Sequence, residues 1–209
     1  MPLANCLILD LGNVIAFFDH MRACRRLADL SKQQLSETDV YQKIFSSGLE
    51  QEYDRGAIST ETFLNSLQKQ LQSHADREQI ITAWSDIFWP NEAVIRAIRK
   101  LHMSSIRLVL ASNTNDLHYR WIRTTFGEVM DCFDHQVLSY QVGASKPDVK
   151  FYESCLDASE REPSQCVFVD DRAAFVEAAQ EFGMQGVVYG QDTDLERSLR
   201  TMGIEVEAC

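Results

Sequence analysis

Four or five short, largely apolar runs constrain this chain more than any other feature: Cys6–Leu9, Ile106–Ala111, Gln136–Leu138, Cys166–Val169 and Gly186–Tyr189. A strand with one face in water alternates apolar and polar residues. A continuous apolar run has both faces covered, as in a parallel sheet between two helical layers. Amphipathic stretches separate the later runs. Asp116–Phe126 places Leu117 and Trp121 four apart with Ile122 beside them, and Asp171–Phe182 gathers Phe175, Ala178, Ala179 and Phe182 ahead of Gly183, a suitable helix stop. Pro147 stands where a helix would begin, before Phe151, Tyr152 and Cys155. This alternation predicts an α/β fold: a doubly wound parallel sheet with right-handed crossovers.

One interval breaks the rhythm. Loops in such folds take ~2–6 residues, yet Asp10 and Ile106 are separated by helix after helix: Met21–Leu30, Thr38–Phe45, Leu49–Arg55, Thr60–Gln72 and Arg77–Phe88. Ser59 is a good N-cap for the fourth, and Pro90-Asn91 marks a break before Glu92–Leu101. The expected organisation is a core of residues 1–16 and 91–209, with a helical cap, residues 17–90, inserted after the first strand.

A hydrophobic fraction of 45% with 24% charged residues belongs to an ordinary globular chain, and 209 residues bury enough surface to need no staples. The formal net charge of −11 argues against nucleic-acid binding, which rests on Lys and Arg neutralising phosphates. It does not argue against a phosphate substrate, because a local site can hold an anion with one lysine, backbone N–H groups and a metal. Cys6, Cys24, Cys132, Cys155, Cys166 and Cys209 form no C-x-x-C pair and read as reduced core residues. The first residues carry no basic segment, and Asp10 and Asp19 interrupt their apolar stretch, so neither a signal peptide nor a membrane span is expected. A cytoplasmic protein fits these features; the oligomeric state is not readable.

In open α/β sheets ligands bind outside the carboxyl ends of the strands. The residues at those ends are Asp10, Ser112-Asn113, Lys146 at a helix start, and Asp170-Asp171. A carboxylate there can act as a nucleophile and divide one hard phosphoryl displacement into two easier ones. It needs a hard cation to relieve its repulsion of phosphate, and Mg²⁺ takes oxygen ligands from one or two carboxylates. Asp10 and Asp170 are the candidate ligands. Ser112 and Asn113, through backbone N–H or side chain at a helix N-terminus, are candidate phosphate donors, and Lys146 would neutralise the transferring group.

The segments Ile8-Leu9-Asp10-Leu11-Gly12-Asn13-Val14, Leu110-Ala111-Ser112-Asn113-Thr114, Lys146-Pro147 and Val167-Phe168-Val169-Asp170-Asp171 resemble the four ordered motifs of the haloacid dehalogenase superfamily. With Gly56–Phe63 they resemble in particular its bacterial α-D-glucose-1-phosphatase-like subgroup. That resemblance implies a Rossmann-like core with a helical cap, a phosphoaspartyl mechanism on Asp10 and a Mg²⁺ cofactor. It implies metal contacts from Asp10, Asp170 and the backbone carbonyl of Gly12. The substrate it implies is a small phosphorylated metabolite, such as a sugar phosphate.

Two departures stand out. Most phosphatases of this superfamily carry an acid two residues after the nucleophile; here that residue is Gly12, so the leaving oxygen is expected to depart with little protonation. Phe175 stands where many relatives have Asn, so the support of the metal carboxylates is expected to differ. Asp19 and His20 are substitute acids to consider, and Tyr53, Asp54 and Arg55 are candidates to face the site from the cap. Asp171 reads equally as a helix N-cap. Two other functions remain open: a non-catalytic scaffold, favoured by Gly12 and Phe175, and a metal-free dehalogenase, disfavoured by the Asp170-Asp171 pair.

Overall fold

The computed structural model describes residues 3–73 and 75–206; Cys209 lies outside them. The elements in chain order begin with β1 (Cys6–Leu9), β2 (Ala16–Phe18), α1 (His20–Asp29), α2 (Glu37–Tyr41), α3 (Leu49–Asp54), α4 (Thr60–Leu71) and α5 (Arg77–Ser85). They continue with β3 (Phe88–Pro90), α6 (Glu92–His102), β4 (Arg107–Ser112), α7 (Asp116–Thr125), α8 (Gly127–Met130), β5 (His135–Leu138) and α9 (Ser139–Val142). The last are α10 (Val149–Ser159), β6 (Cys166–Asp170), α11 (Ala173–Glu181), β7 (Gln185–Val188) and α12 (Leu195–Thr201).

Five strands form one parallel sheet in the order β5-β4-β1-β6-β7, as the apolar runs predict. The order reverses at β1, so β4 and β6 flank it and the ends of all three strands lie side by side. Period-two geometry divides their residues between the faces. Leu7, Leu9, Leu108, Leu110, Val167 and Val169 join the core built with α6 and α12. Cys6, Ile8, Val109, Ala111, Cys166 and Phe168 join the other, built with α10 and α11.

Residues 20–85 surround a third apolar cluster centred on Trp84, Phe63, Tyr53 and Leu67, into which α7 inserts Leu117. Three of its helices carry side-chain caps that decide where they start: Asp19 accepts from the N–H of Met21, Ser59 from Thr62, and Asp76 from Gln79.

The structure corrects several boundaries. The Arg77–Phe88 stretch leaves the helix at Ser85, and Phe88 belongs to β3, which pairs antiparallel with β2. This strand pair was not expected, because three-residue strands carry no readable period. The Thr38–Phe45 stretch is α2 followed by a π-helical turn, Gln42–Ser46. Asp171–Phe182 begins as a helix only at Ala173, with Arg172 as N-cap. Ser112 is the last residue of β4 and not a helix cap; Asn115 caps α7, accepting from the N–H of His118.

Candidate active site

Asp10 is the first residue past β1, and its N–H donates to Val169 at 2.9 Å. Asp170 ends β6, fully buried. Lys146 reaches between them: its Nζ lies 2.7 Å from Asp10 Oδ1, 2.6 Å from Asp170 Oδ2 and 3.0 Å from the Ala111 carbonyl. Three acceptors satisfy all three ammonium hydrogens. Burial alone would lower the lysine's pKa, but the charges of Asp10 and Asp170 outweigh it and hold the group above its ordinary value. Burial pushes Asp10 up to about 7, opposed by Lys146 and reinforced by Asp170.

Asp171 joins this cluster. Asp10, Asp170 and Asp171 each offer an oxygen within 4.8 Å of the others. The N-cap reading of Asp171 is therefore corrected: it is Asp170 that accepts the Arg172 N–H, at 2.9 Å. Asp171 accepts instead from Asn13 Nδ2 at 2.9 Å. Asn13 has a φ of 56°, a left-handed conformation that asparagine tolerates and that aims its carboxamide across the sheet. The bridge between the segments around Gly12 and Ala16 uses the Leu11 carbonyl and the Asn13 N–H. Gly12's own carbonyl accepts no hydrogen bond among the described residues. Hard oxygen donors clustered this way suit a small divalent cation such as Mg²⁺.

Ser112 is buried at the cavity floor. The Asn113 carboxamide is held against Lys146: Oδ1 accepts from the Lys146 N–H at 2.8 Å, while Nδ2 donates to the Lys146 carbonyl at 3.1 Å. That carboxamide clamps the lysine's backbone. Phe175 lies with its ring centroid 5.5 Å from Lys146 Nζ, so the residue in place of asparagine supports the ammonium through its π face.

At the cluster opens a cavity of about 560 Å³, lined also by Phe18, Phe45, Phe88, Glu50, Asp54 and Thr114. Phe18 occupies the space over Gly12: a Cβ on that glycine would stand 2.8 Å from Phe18 Cε1. Of the three cap residues considered from sequence, Asp54 and Arg55 line the cavity, whereas Tyr53 is buried in the helical core with its hydroxyl 2.9 Å from Thr60 Oγ1. Glu50 was not singled out, although it lies one turn before Asp54. His20 lines the cavity, and burial, opposed by Asp19, lowers its pKa to about 4. Asp19 is exposed and spends its carboxylate on capping α1.

The end of α3 sits on the core. Asp54 Oδ1 accepts from Asn115 Nδ2 at 2.8 Å. The Ser139 hydroxyl, fully buried, lies 2.6 Å from the Asp54 carbonyl and 2.9 Å from that of Thr114. Arg55 donates from Nε to Ser145 Oγ at 3.1 Å and pairs with Asp148 at 3.2 Å. Gly56 follows with a φ of 68° and lies so close to the Tyr140 carbonyl that a Cβ would meet its oxygen at 2.2 Å.

Fold and site together define a class: an α/β protein with helices inserted after its first strand, presenting carboxylates and one buried ammonium at the ends of its central strands. The chain belongs to the haloacid dehalogenase-like hydrolases, whose family profile matches residues 4–183, and it is a hydrolase. It is 26% identical to D-ribitol-5-phosphate phosphatase of Bacteroides thetaiotaomicron over 187 residues, 86% of this chain and 88% of that protein. A haloacid dehalogenase family enzyme from Bacteroides thetaiotaomicron superposes with a TM-score of 0.82 at 22% identity, over 94% of this chain and 98% of that one. Its wild-type complex with magnesium and inorganic phosphate superposes with a TM-score of 0.80 at 21% identity, over 93% and 98%. Among the described residues no helix is long and apolar enough to cross a membrane.

Proposed function

We propose that this protein is a magnesium-dependent phosphatase that hydrolyses a small phosphorylated metabolite, such as a sugar or polyol phosphate, through a phosphoaspartyl intermediate on Asp10. The observation that carries the reading is the Asp10–Lys146–Asp170 bridge at the floor of a cavity large enough for such a ligand. The named activity of the Bacteroides relative supports it.

Asp10, Asp170 and the Gly12 carbonyl, joined by Asp171, would hold the magnesium ion, which supplies the positive charge that lets phosphate and carboxylates share one site. Lys146 leaves one Asp10 oxygen free to attack phosphorus and neutralises charge on the transferring group. Ser112 and the Asn113 N–H orient the phosphoryl oxygens. Water then hydrolyses the acyl phosphate and restores the carboxylate. Residues 17–90 serve as a cap that excludes water and chooses the substrate.

The test is turnover of a phosphorylated-metabolite panel and of an aryl phosphate. Activity should require Mg²⁺ and stop with chelator, and Asp10→Asn should reduce it to background without unfolding the protein. Burial of the Asp10 charge costs more than its attraction to Lys146 returns, and Asp170 adds repulsion, so the variant's melting temperature should not fall. Full activity in chelator would point to dehalogenase-type chemistry, and an inert wild type to a scaffold.

A further inference from the structure

The phosphatase reading leaves one requirement unmet. A sugar or alkyl oxygen leaves poorly as an alkoxide and needs a proton as its bond to phosphorus breaks. Position 12 has no side chain, and the Phe18 ring fills the space where one would stand. Asp19 faces away, and His20, pushed down to about 4, carries no acidic proton at neutral pH. His118, which also lines the cavity, is pushed down to about 3 by burial and then by His20.

The cap wall of the cavity carries two carboxyls, Glu50 and Asp54, four residues apart on α3 and so on one helix face. The turn that holds them is fixed against both core segments that flank the catalytic floor. Asp54 rests on Asn115 and Ser139, just beyond Ser112-Asn113, and the next residue, Arg55, rests on Ser145 and Asp148, either side of Lys146-Pro147. Among the described residues neither carboxyl takes part in an ion pair, because Arg55, the cation beside them, is committed to Asp148. Burial first, and then the charge of Glu50, hold Asp54 well above the ordinary carboxylate range; burial also raises Glu50.

We propose that the Glu50–Asp54 carboxyl pair is the proton donor to the leaving oxygen, an inference that rests on the reading of Asp10 as nucleophile. As the Asp10 oxygen bonds to phosphorus, the bond from phosphorus to the leaving oxygen breaks, and that oxygen's electron pair takes a proton from the carboxyl pair. In the second half, water attacks the acyl phosphate and gives its proton to the same pair. Inorganic phosphate and the Asp10 carboxylate are released, and the starting protonation is restored.

The experiment measures kcat/KM with Mg²⁺ for aryl and alkyl phosphate monoesters of graded leaving-group pKa, using wild type, Asp54→Asn and Glu50→Gln. Each amide keeps the side chain's shape, and the asparagine oxygen can still accept from Asn115. Wild type should show a shallow dependence. In each variant the aryl-to-alkyl ratio should rise by ~10²-fold, the scale of general acid catalysis. An unchanged ratio in both folded variants, or equal slowing of every ester, would overturn the proposal. A wild type inactive on all esters, or matched by Asp10→Asn, would show that the nucleophile reading itself fails, and the proposal with it.

Discussion

Gly12 and Phe18 act as one unit, and neither can be changed as though the other were absent. The ring over Gly12 packs against Phe88 at a centroid distance of 6.0 Å and against His20 at 4.8 Å, so it has little freedom to retreat from a new Cβ 2.8 Å away. Gly12→Asp should destabilise the protein by ~1–3 kcal/mol, the usual cost of overfilling a packed site. Combined with Phe18→Ala, it should cost less than the sum of the two single changes by ~1 kcal/mol or more. Denaturant titrations of the four proteins give that cycle; additive costs would mean that the ring is not the obstacle. Asp10, Ser112, Lys146 and Asp170 were legible as site candidates because each follows an apolar run or opens a helix, positions that sheet topology gathers at one edge. Asn13 and Glu50 were not, and Asp171 could be read equally as a helix cap, because a left-handed φ and the phase of a helix decide where those side chains point.

At the level of elements, α7 and α5 meet through a buried histidine whose protonation state is fixed by its neighbours. His118 Nε2 faces the Trp84 carbonyl at 3.2 Å and must donate to it, while Nδ1 lies 3.1 Å from Asn115 Nδ2 and must accept. A proton on Nδ1 would set donor against donor inside the packed seam. With a folded pKa near 3 against about 6.5 unfolded, the neutral ring contributes stability that is whole above pH 6.5 and drains away as pH falls toward 3. Between pH 7 and pH 5 that loss is about 2 kcal/mol, from ~1.4 kcal/mol per pH unit. The raised carboxyls Asp10, Glu50 and Asp54 act in the opposite direction, so the quantity to measure is the stability difference between wild type and His118→Gln. It should shrink by that amount over the two pH units, and a constant difference would show that His118 protonates freely. The parallel strands and most helices could be read from apolar runs and caps. The β2–β3 pair could not, because Phe88 continues the helical spacing of Trp84 and only tertiary pairing with Ala16–Phe18 pulls it into a strand.

For the whole molecule, the cavity exists only because the inserted helices sit against the core, and no spacing along the chain reveals that seat. Gly56 marks its tightest point. Gly56→Ala adds one carbon where the Tyr140 carbonyl already stands and also imposes a left-handed φ on alanine, worth ~1–2 kcal/mol. The melting temperature should fall. In addition, kcat/KM for the preferred metabolite should fall further than for a small aryl phosphate, by up to ~10²-fold, as expected when positioned groups shift by an ångström. Equal losses on both substrates would place discrimination in the core.

The Ser139 hydroxyl gives this seam a further property. It has a single hydrogen and two carbonyls within reach, Asp54 on the inserted helices and Thr114 on the core, while its oxygen already accepts from the Thr114 N–H at 2.9 Å. Were α3 to lift away, the hydrogen would swing to Thr114 and the hydroxyl would keep a partner, whereas the exposed Asp54 carbonyl would find water. At this one contact, separation would strand no hydroxyl donor and so avoid the penalty that an unpaired buried polar group otherwise adds. The hydroxyl is thus a hinge-tolerant partner, bonded to the inserted helices when they are seated and to its own core when they are not.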